Sequence, residues 1–270
     1  MRHVAVASKR LALPFFIALW IAGCMSGKSQ AGQTPELGTN RPAIVSPPAS
    51  SPAAAVTTPR GSRADLSDFG LPSEVDPTAR YLFYLHGKII EDQGLPAVSQ
   101  EYGEYQYVEI LNVLQSYGFV VVSEQRPKDT DGTAYAARVS GQIEGLLRSQ
   151  VPPGSITVVG ASKGAAIAVI VSDMLENSEV NYVLLGTCDA STVTEWREQG
   201  ISLHGNVLAI YDSADREYAG SCEEIFTSSE TRGLRRHEEI ILHTGTGHGV
   251  LYQPLEEWIL PTVRWAREQH

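Results

Sequence analysis

The sequence predicts an α/β fold built on a reduced, mostly parallel sheet of about six strands with helices on both faces, and three observations carry that expectation. Short apolar runs that read as buried strands alternate with segments of helical periodicity through the last two hundred or so residues. The helical segments place their apolar residues at i, i+3 and i+4 spacing, so each can cover one face of a sheet. The chemically versatile side chains fall just past the carboxyl ends of the apolar runs, where open α/β sheets build their sites.

Tyr81-Leu-Phe-Tyr-Leu85 is the first strand, and it ends in His86-Gly87-Lys88, a turn able to aim a backbone N–H at a neighbouring strand end. Tyr107, Ile110, Leu111 and Leu114 mark a helical face before the strand Phe119 to Ser123. Tyr135, Val139, Ile143, Leu146 and Leu147 mark another, closed by Pro152-Pro153-Gly154. Ser155-Ile-Thr-Val-Val159 then leads into Gly160-Ala161-Ser162-Lys163-Gly164, and an Ala/Ile/Val-rich helical run follows. A serine on a strand-to-helix turn adopts a strained backbone, and glycines two before and two after it remove side chains that would strike strand and helix. Its hydroxyl is then held out above the sheet edge, beside N–H groups at a helix start that favour an oxyanion. Val180 to Leu185 and Val207 to Tyr211 are the next strands, the second followed by Asp212-Ser-Ala-Asp215. The last strand, Glu238 to Leu242, precedes His243-Thr-Gly-Thr-Gly-His248-Gly249, and Leu255 to Glu268 forms a closing helix bent near Pro261. About twenty residues separate Gly186 from Asn206, too few for a cap domain.

The turn at Ser162, the turn at His86, Asp215 and His248 together resemble the α/β-hydrolase family over roughly residues 66 to 270, in four separate motifs and in the family's Ser, Asp, His order. The resemblance implies Ser162 as nucleophile, His248 as base and Asp215 as acid, with the backbone N–H groups of Lys88 and Lys163 as the oxyanion hole. It implies no cofactor. Glu124-Gln-Arg126 resembles the acidic-x-Arg segment of many members, with Pro127 in place of the usual glycine. The implied activity is hydrolysis of a carboxylic ester of a small acyl substrate, with thioester and amide cleavage as neighbours. A noncatalytic envelope lipoprotein that uses the same scaffold to bind a ligand or partner is the alternative from another class.

Several residues compete for these roles. His243 stands where the last strand ends and is expected to be partly buried, while five residues of glycine-rich loop let His248 reach back over Ser162. Asp212 and Asp189 are the rivals of Asp215. His86 reads as a structural residue under the turn, His204 and His237 as surface-loop residues, and His270 as terminal. Lys163 is a cation in the first turn of a helix, against the dipole. It reads either as a contact to an anionic substrate group or to Glu91 or Glu124, or as a solvated lysine. No histidine spacing fits a metal site.

The chain has 270 residues, 43% hydrophobic and 19% charged, enough for one sizeable core. Residues 1 to 23 do not belong to it: Arg2, Lys9 and Arg10 precede a short apolar stretch, Leu11 to Ala22, of the secretory type. Ile21-Ala22-Gly23-Cys24 resembles a bacterial lipoprotein box, which implies cleavage before Cys24 and its lipidation. An ordinary signal peptide with an incidental cysteine is the other reading. Met25 gives no aspartate signal for inner-membrane retention, so the expected location is the cell envelope, at the outer membrane facing the periplasm. Residues 24 to 61 form the lipidated cysteine and a tether rich in Pro, Ala and Ser, and the catalytic domain spans 62 to 270. Loss of the three basic signal residues leaves 18 basic against 31 acidic groups, a net −13 that argues against nucleic acid and bare anionic lipid as partners. Cys188 and Cys222 remain, an even pair in an oxidising setting whose strand ends are neighbours in the fold the resemblance implies; a disulfide between them is expected, with two buried free thiols as the other reading.

Overall fold

The computed structural model describes residues 66–268. The expected signal segment, Cys24, the tether and His270 lie outside the described residues.

Six parallel strands form the main sheet, and the helices between them are assigned to faces by which strand side chains they cover. In chain order the elements are β1 (Tyr81–Leu85), α1 (Lys88–Gln93), β2 (Val98–Ser99), β3 (Gly103–Glu104), α2 (Tyr107–Ser116), β4 (Val120–Val122), α3 (Gly132–Arg148) and β5 (Ile156–Ala161). There follow α4 (Lys163–Leu175), β6 (Asn181–Leu185), α5 (Ala190–Glu198), β7 (Gly205–Asp212), α6 (Glu223–Ser229), β8 (Leu234–Leu242) and α7 (Glu256–Arg267). The sheet order is β4-β1-β5-β6-β7-β8, with all neighbours parallel, and β2 and β3 pair as a separate antiparallel hairpin. Tyr81, Phe83 and Leu85 face α3, α4, α5 and α6, while Leu82 and Tyr84 face α1, α2 and α7. Both faces of β1 are therefore dry, which is why its sequence is an unbroken apolar run. This is the reduced, parallel α/β sheet of six strands with helices on both faces that the sequence predicts.

The strand order places the site. The chain begins at β1, moves outward to β4, and returns across β1 to β5, so the connections after β1 and β5 leave on opposite faces of the sheet. A crevice opens between two such strand ends. Leu85 pairs with Gly160 in the register, so His86 and Ser162, one and two residues farther on, emerge side by side.

Two elements differ from the sequence reading. β8 starts at Leu234, four residues before Glu238, because Arg235, Arg236 and His237 give its first half the charged look of a loop. It is an edge strand, where charge on the open side is the usual protection against pairing with another chain. The hairpin β2–β3 has strands of two residues each, too short to leave a periodic signal. The expected closing helix is α7, and Pro261 lies inside it. Between Gly186 and His204 the only helix is α5, and no described helix is long and apolar enough to cross a membrane.

Cys188 and Cys222 are joined by a disulfide, with Cα atoms 5.2 Å apart and both residues buried. The bond ties the loop after β6 to the loop after β7. Two backbone contacts run beside it: Cys188 bridges Ala219, and Gly220 N–H donates to the Thr187 carbonyl at 3.0 Å. Closing a loop of 34 residues stabilises a fold by about 3 to 4 kcal/mol on the chain-entropy argument.

Candidate active site

Ser162 joins β5 to α4 with φ 53° and ψ −121°, a conformation that L-residues adopt at a cost of roughly 1 to 3 kcal/mol. What forces it is the closeness of three backbones. A Cβ on Gly160 would stand 2.2 Å from the Gly164 carbonyl oxygen, and one on Gly164 would stand 1.8 Å from the Leu85 oxygen. Neither position tolerates any other residue. Ser162 N–H donates to the carbonyl of Leu185, at the end of the neighbouring strand β6, at 2.8 Å, and its side chain is half-buried.

The turn after β1 lies against this elbow: a Cβ on Gly87 would be 3.6 Å from Ser162 Cβ and 3.7 Å from the Ala161 oxygen. Lys88 and Lys163 are the first residues of α1 and α4, so their N–H groups have no partner within their own helices. The Lys88 side chain turns away to Asp92, 2.6 Å from its carboxylate. His86 is wholly buried beneath the turn. Its Nε2 accepts from the Arg126 backbone N–H at 2.8 Å, so Nδ1 carries the proton and donates to the Gly87 carbonyl at 2.8 Å. Burial, then the positive charge of Arg126 and more weakly that of Lys163, pushes the His86 pKa from its ordinary 6.5 down to about 3. His86 is a fixed neutral strut, as the sequence suggested.

Arg126, in the segment followed by Pro127, is also fully buried. Its Nε donates to Glu91 Oε1 at 2.6 Å and its Nη2 to the His86 carbonyl, while the guanidinium sits 5.3 Å from the centroid of the Tyr135 ring. Lys163 Nζ takes the other Glu91 oxygen at 2.6 Å and the Thr130 carbonyl at 2.8 Å. Of the alternatives for Lys163, the structure realises the contact to Glu91. Glu124 pairs instead with Arg138.

His248 stands on the short 3-10 turn Gly247–Tyr252 after β8, and its Nδ1 is 2.5 Å from Asp215 Oδ2. Asp215 Oδ1 accepts from the Tyr218 N–H at 3.2 Å, and the Tyr218 ring lies 4.9 Å from the imidazole. Asp212, the rival carboxylate, has another task. It accepts from Ala214 N, Thr244 N, Thr244 Oγ1 and Gly247 N, and so fastens the histidine loop to the end of β7. Burial alone would raise its pKa, but these hydrogen bonds outweigh burial and hold it below the usual carboxylate value. Asp189, the other rival, caps α5 through Ser191 and Thr192. Gly186, at φ +60°, follows Leu185, and a Cβ there would stand 3.3 Å from His248 Cε1 and 2.7 Å from Leu251. The imidazole and the Ser162 elbow thus meet the same dipeptide, Leu185-Gly186.

Three histidines differ from expectation. His243 is exposed, not partly buried, with Nδ1 2.9 Å from Ser213 Oγ, because Leu242 takes the inward position at the strand end. His204 is buried under Gly233, whose added Cβ would stand 2.1 Å from its ring. His237 is half-buried on β8, stacked 4.6 Å from Phe226. The sequence reading also missed an aromatic wall. Tyr102, on the β2–β3 turn, would touch a Cβ on Gly249 at 2.8 Å and lies 5.3 Å from Tyr252, which is 4.9 Å from Tyr105. Four tyrosines within residues 81 to 107 besides Tyr81 were the available signal.

No protein-family model and no curated protein matches the chain. Among solved structures it is similar to the RedJ thioesterase of prodiginine biosynthesis from Streptomyces coelicolor, at 14% identity over 73% of this chain and 91% of that one, with a TM-score of 0.40. It is similar to a phospholipase/carboxylesterase from Dyadobacter fermentans at 14% identity over 71% and 93%, TM-score 0.43. An esterase/lipase from an uncultured bacterium gives 12% identity over 71% and 77%, TM-score 0.45.

The depressed His86 pKa has a consequence for stability. Between pH 6.5 and about 3 the unfolded chain binds a proton on this residue that the native state refuses, so its contribution is complete above pH 6.5 and is lost as pH falls toward 3. The slope approaches about 1.4 kcal/mol per pH unit. His86→Asn keeps a donor near the Gly87 carbonyl but cannot titrate. Urea unfolding at pH 7.5, 6 and 5 is expected to show a less stable variant with a shallower acid-side decline; parallel declines would refute the assignment.

Proposed function

We propose that this chain is a serine hydrolase that cleaves a carboxylic ester through a covalent acyl-enzyme, with thioester and amide bonds as chemical neighbours. The observation that supports it most is the convergence on Leu185-Gly186: the strained Ser162 elbow bonds to Leu185, the His248 ring abuts Gly186, and Asp215 orients that ring from its far side. With its Nδ1 proton donated to Asp215, the imidazole keeps the Nε2 lone pair for a base.

The steps follow. His248 Nε2 takes the Ser162 proton as Oγ attacks the acyl carbon, and the carbonyl oxygen becomes an oxyanion held by the N–H groups of Lys88 and Lys163. Collapse expels the alcohol, which receives the proton from His248. Water, deprotonated by the same imidazole, attacks the acyl-enzyme and regenerates Ser162 with release of the acid. The dedicated donors lie at two helix starts, where the backbone dipoles favour negative charge.

With only α5 between Gly186 and His204, and Tyr102 lying against Gly249 beside His248, the site favours compact acyl groups. The reading of residues 1 to 61 as a signal, a lipidated Cys24 and a tether gives an enzyme anchored in the bacterial envelope.

Ser162 is expected to be the sole residue labelled by a fluorophosphonate, since an activated serine reacts far faster than an ordinary one. Labelling of Ser162→Ala at the wild-type rate would sink the hydrolase reading and favour a noncatalytic binding protein. On p-nitrophenyl esters, kcat/KM should peak at short acyl chains, because each further methylene adds about 0.8 kcal/mol only while there is apolar wall to bury it. A steady rise to long chains would contradict the compact pocket. Intact mass of protein from its native host should show lipid on residue 24, and an unmodified residue there would remove the anchor.

A further inference from the structure

A lysine in the first turn of a helix lies at the positive end of the dipole and is unfavourable unless an anion holds it. Lys163 is held, and by a group with no freedom of its own. The Glu91 side chain is wholly buried, with one oxygen committed to Arg126 Nε and the other to Lys163 Nζ, each at 2.6 Å. Arg126 continues the connection, donating from its guanidinium to the His86 carbonyl and from its backbone N–H to His86 Nε2. A closed path of polar contacts therefore runs from the first residue of α4, through Glu91 in α1, to the residue that opens the Gly87-Lys88 turn.

This path matters because the two N–H groups read above as the oxyanion hole belong to helices that cover opposite faces of the sheet. Helix α1 has six residues and buries only Ile90 and Glu91, so apolar packing alone leaves its start poorly fixed. The Lys163–Glu91 contact crosses directly between the two helices, and the Thr130 carbonyl fixes the lysine from a third direction. Buried ion groups of this kind add little net stability, because desolvation offsets attraction, but they can select one geometry. Two bonds on Nζ also leave the ammonium turned to the protein, not to a substrate.

We propose that Lys163 is a positioning residue, whose bridge from the Ser162 elbow to Glu91 sets the distance and angle between the Lys88 and Lys163 N–H donors. This rests on the serine-hydrolase reading. Because the donors are aimed at charge that develops only in the transition state, loss of the bridge weakens kcat and leaves ground-state binding nearly untouched.

The test compares Lys163→Met, Lys163→Gln and Lys163→Arg with wild type on a short p-nitrophenyl ester, each rate normalised to folded protein by circular dichroism. The methionine variant should lose roughly 10- to 100-fold in kcat, the scale of a misaimed oxyanion donor, with KM within about threefold. Fluorophosphonate labelling of Ser162 should slow in parallel. Lys163→Gln should fall between, and Lys163→Arg, which keeps the charge and can reach Glu91, should recover most of the rate. A methionine variant with lowered Tm but unchanged kcat, or a change confined to KM, would overturn the proposal. Wild-type protein that leaves Ser162 unlabelled removes the hydrolase reading and this role with it. Labelled wild type with an equally fast methionine variant removes this role alone.

Discussion

The contact between Gly164 and the end of β1 is the constraint on which the rest of the structure depends. Helix α4 can begin where it does only because nothing projects from Gly164 toward the Leu85 carbonyl, and nothing from Gly160 toward the helix. That approach sets the tilt of α4 against the sheet, the left-handed backbone at Ser162, and the nearness of the Gly87 turn to the serine. An alanine at either glycine would not leave a small local defect. It would push the helix off two strands at once, in an interior packed too tightly to absorb the shift.

Around this fixed point the site is assembled from loops that belong to separate strands, and each loop has its own fastening. Asp212 holds the histidine loop, the Arg126–Glu91 pair holds the turn after β1, and the disulfide holds the loops after β6 and β7 to one another. The fastenings are chemically unlike: a capped carboxylate, a buried ion group and a covalent bond. Their common effect is that the functional side chains need little reorganisation of their own, which is the condition for preorganised electrostatics.

What the sequence made legible followed from steric necessity. The Gly-x-Ser-x-Gly spacing is written by the backbone approach itself, and the apolar runs by burial of the strands on two faces, so the elbow and the strands could be read directly, whereas the sheet order came only with the structure. Asp215 and His248 could be placed because each follows a strand end, and the structure puts their side chains together. Glu91 and Arg126 are 35 residues apart, so their pairing was invisible until the fold joined them, although Arg126 stood out in the acidic-x-Arg segment and Glu91 could be named as one contact of Lys163. His204 and His237 misled for a different reason: a polar residue inside a charged edge region looks like a loop residue, and only Gly233 and Phe226 reveal the packing that encloses them. The hairpin that carries Tyr102 is shorter than any period by which a strand is recognised.

The disulfide also divides the chain into parts with different freedom to change. Cys188 joins the loop after β6 directly to Cys222 in the loop after β7, so the tie between these loops does not run through α5. Helix α5 still packs Val193 and Trp196 into the core, but the tie between these two loops does not depend on it. The exposed positions of this stretch are therefore where residues can be exchanged or inserted without loosening that tie.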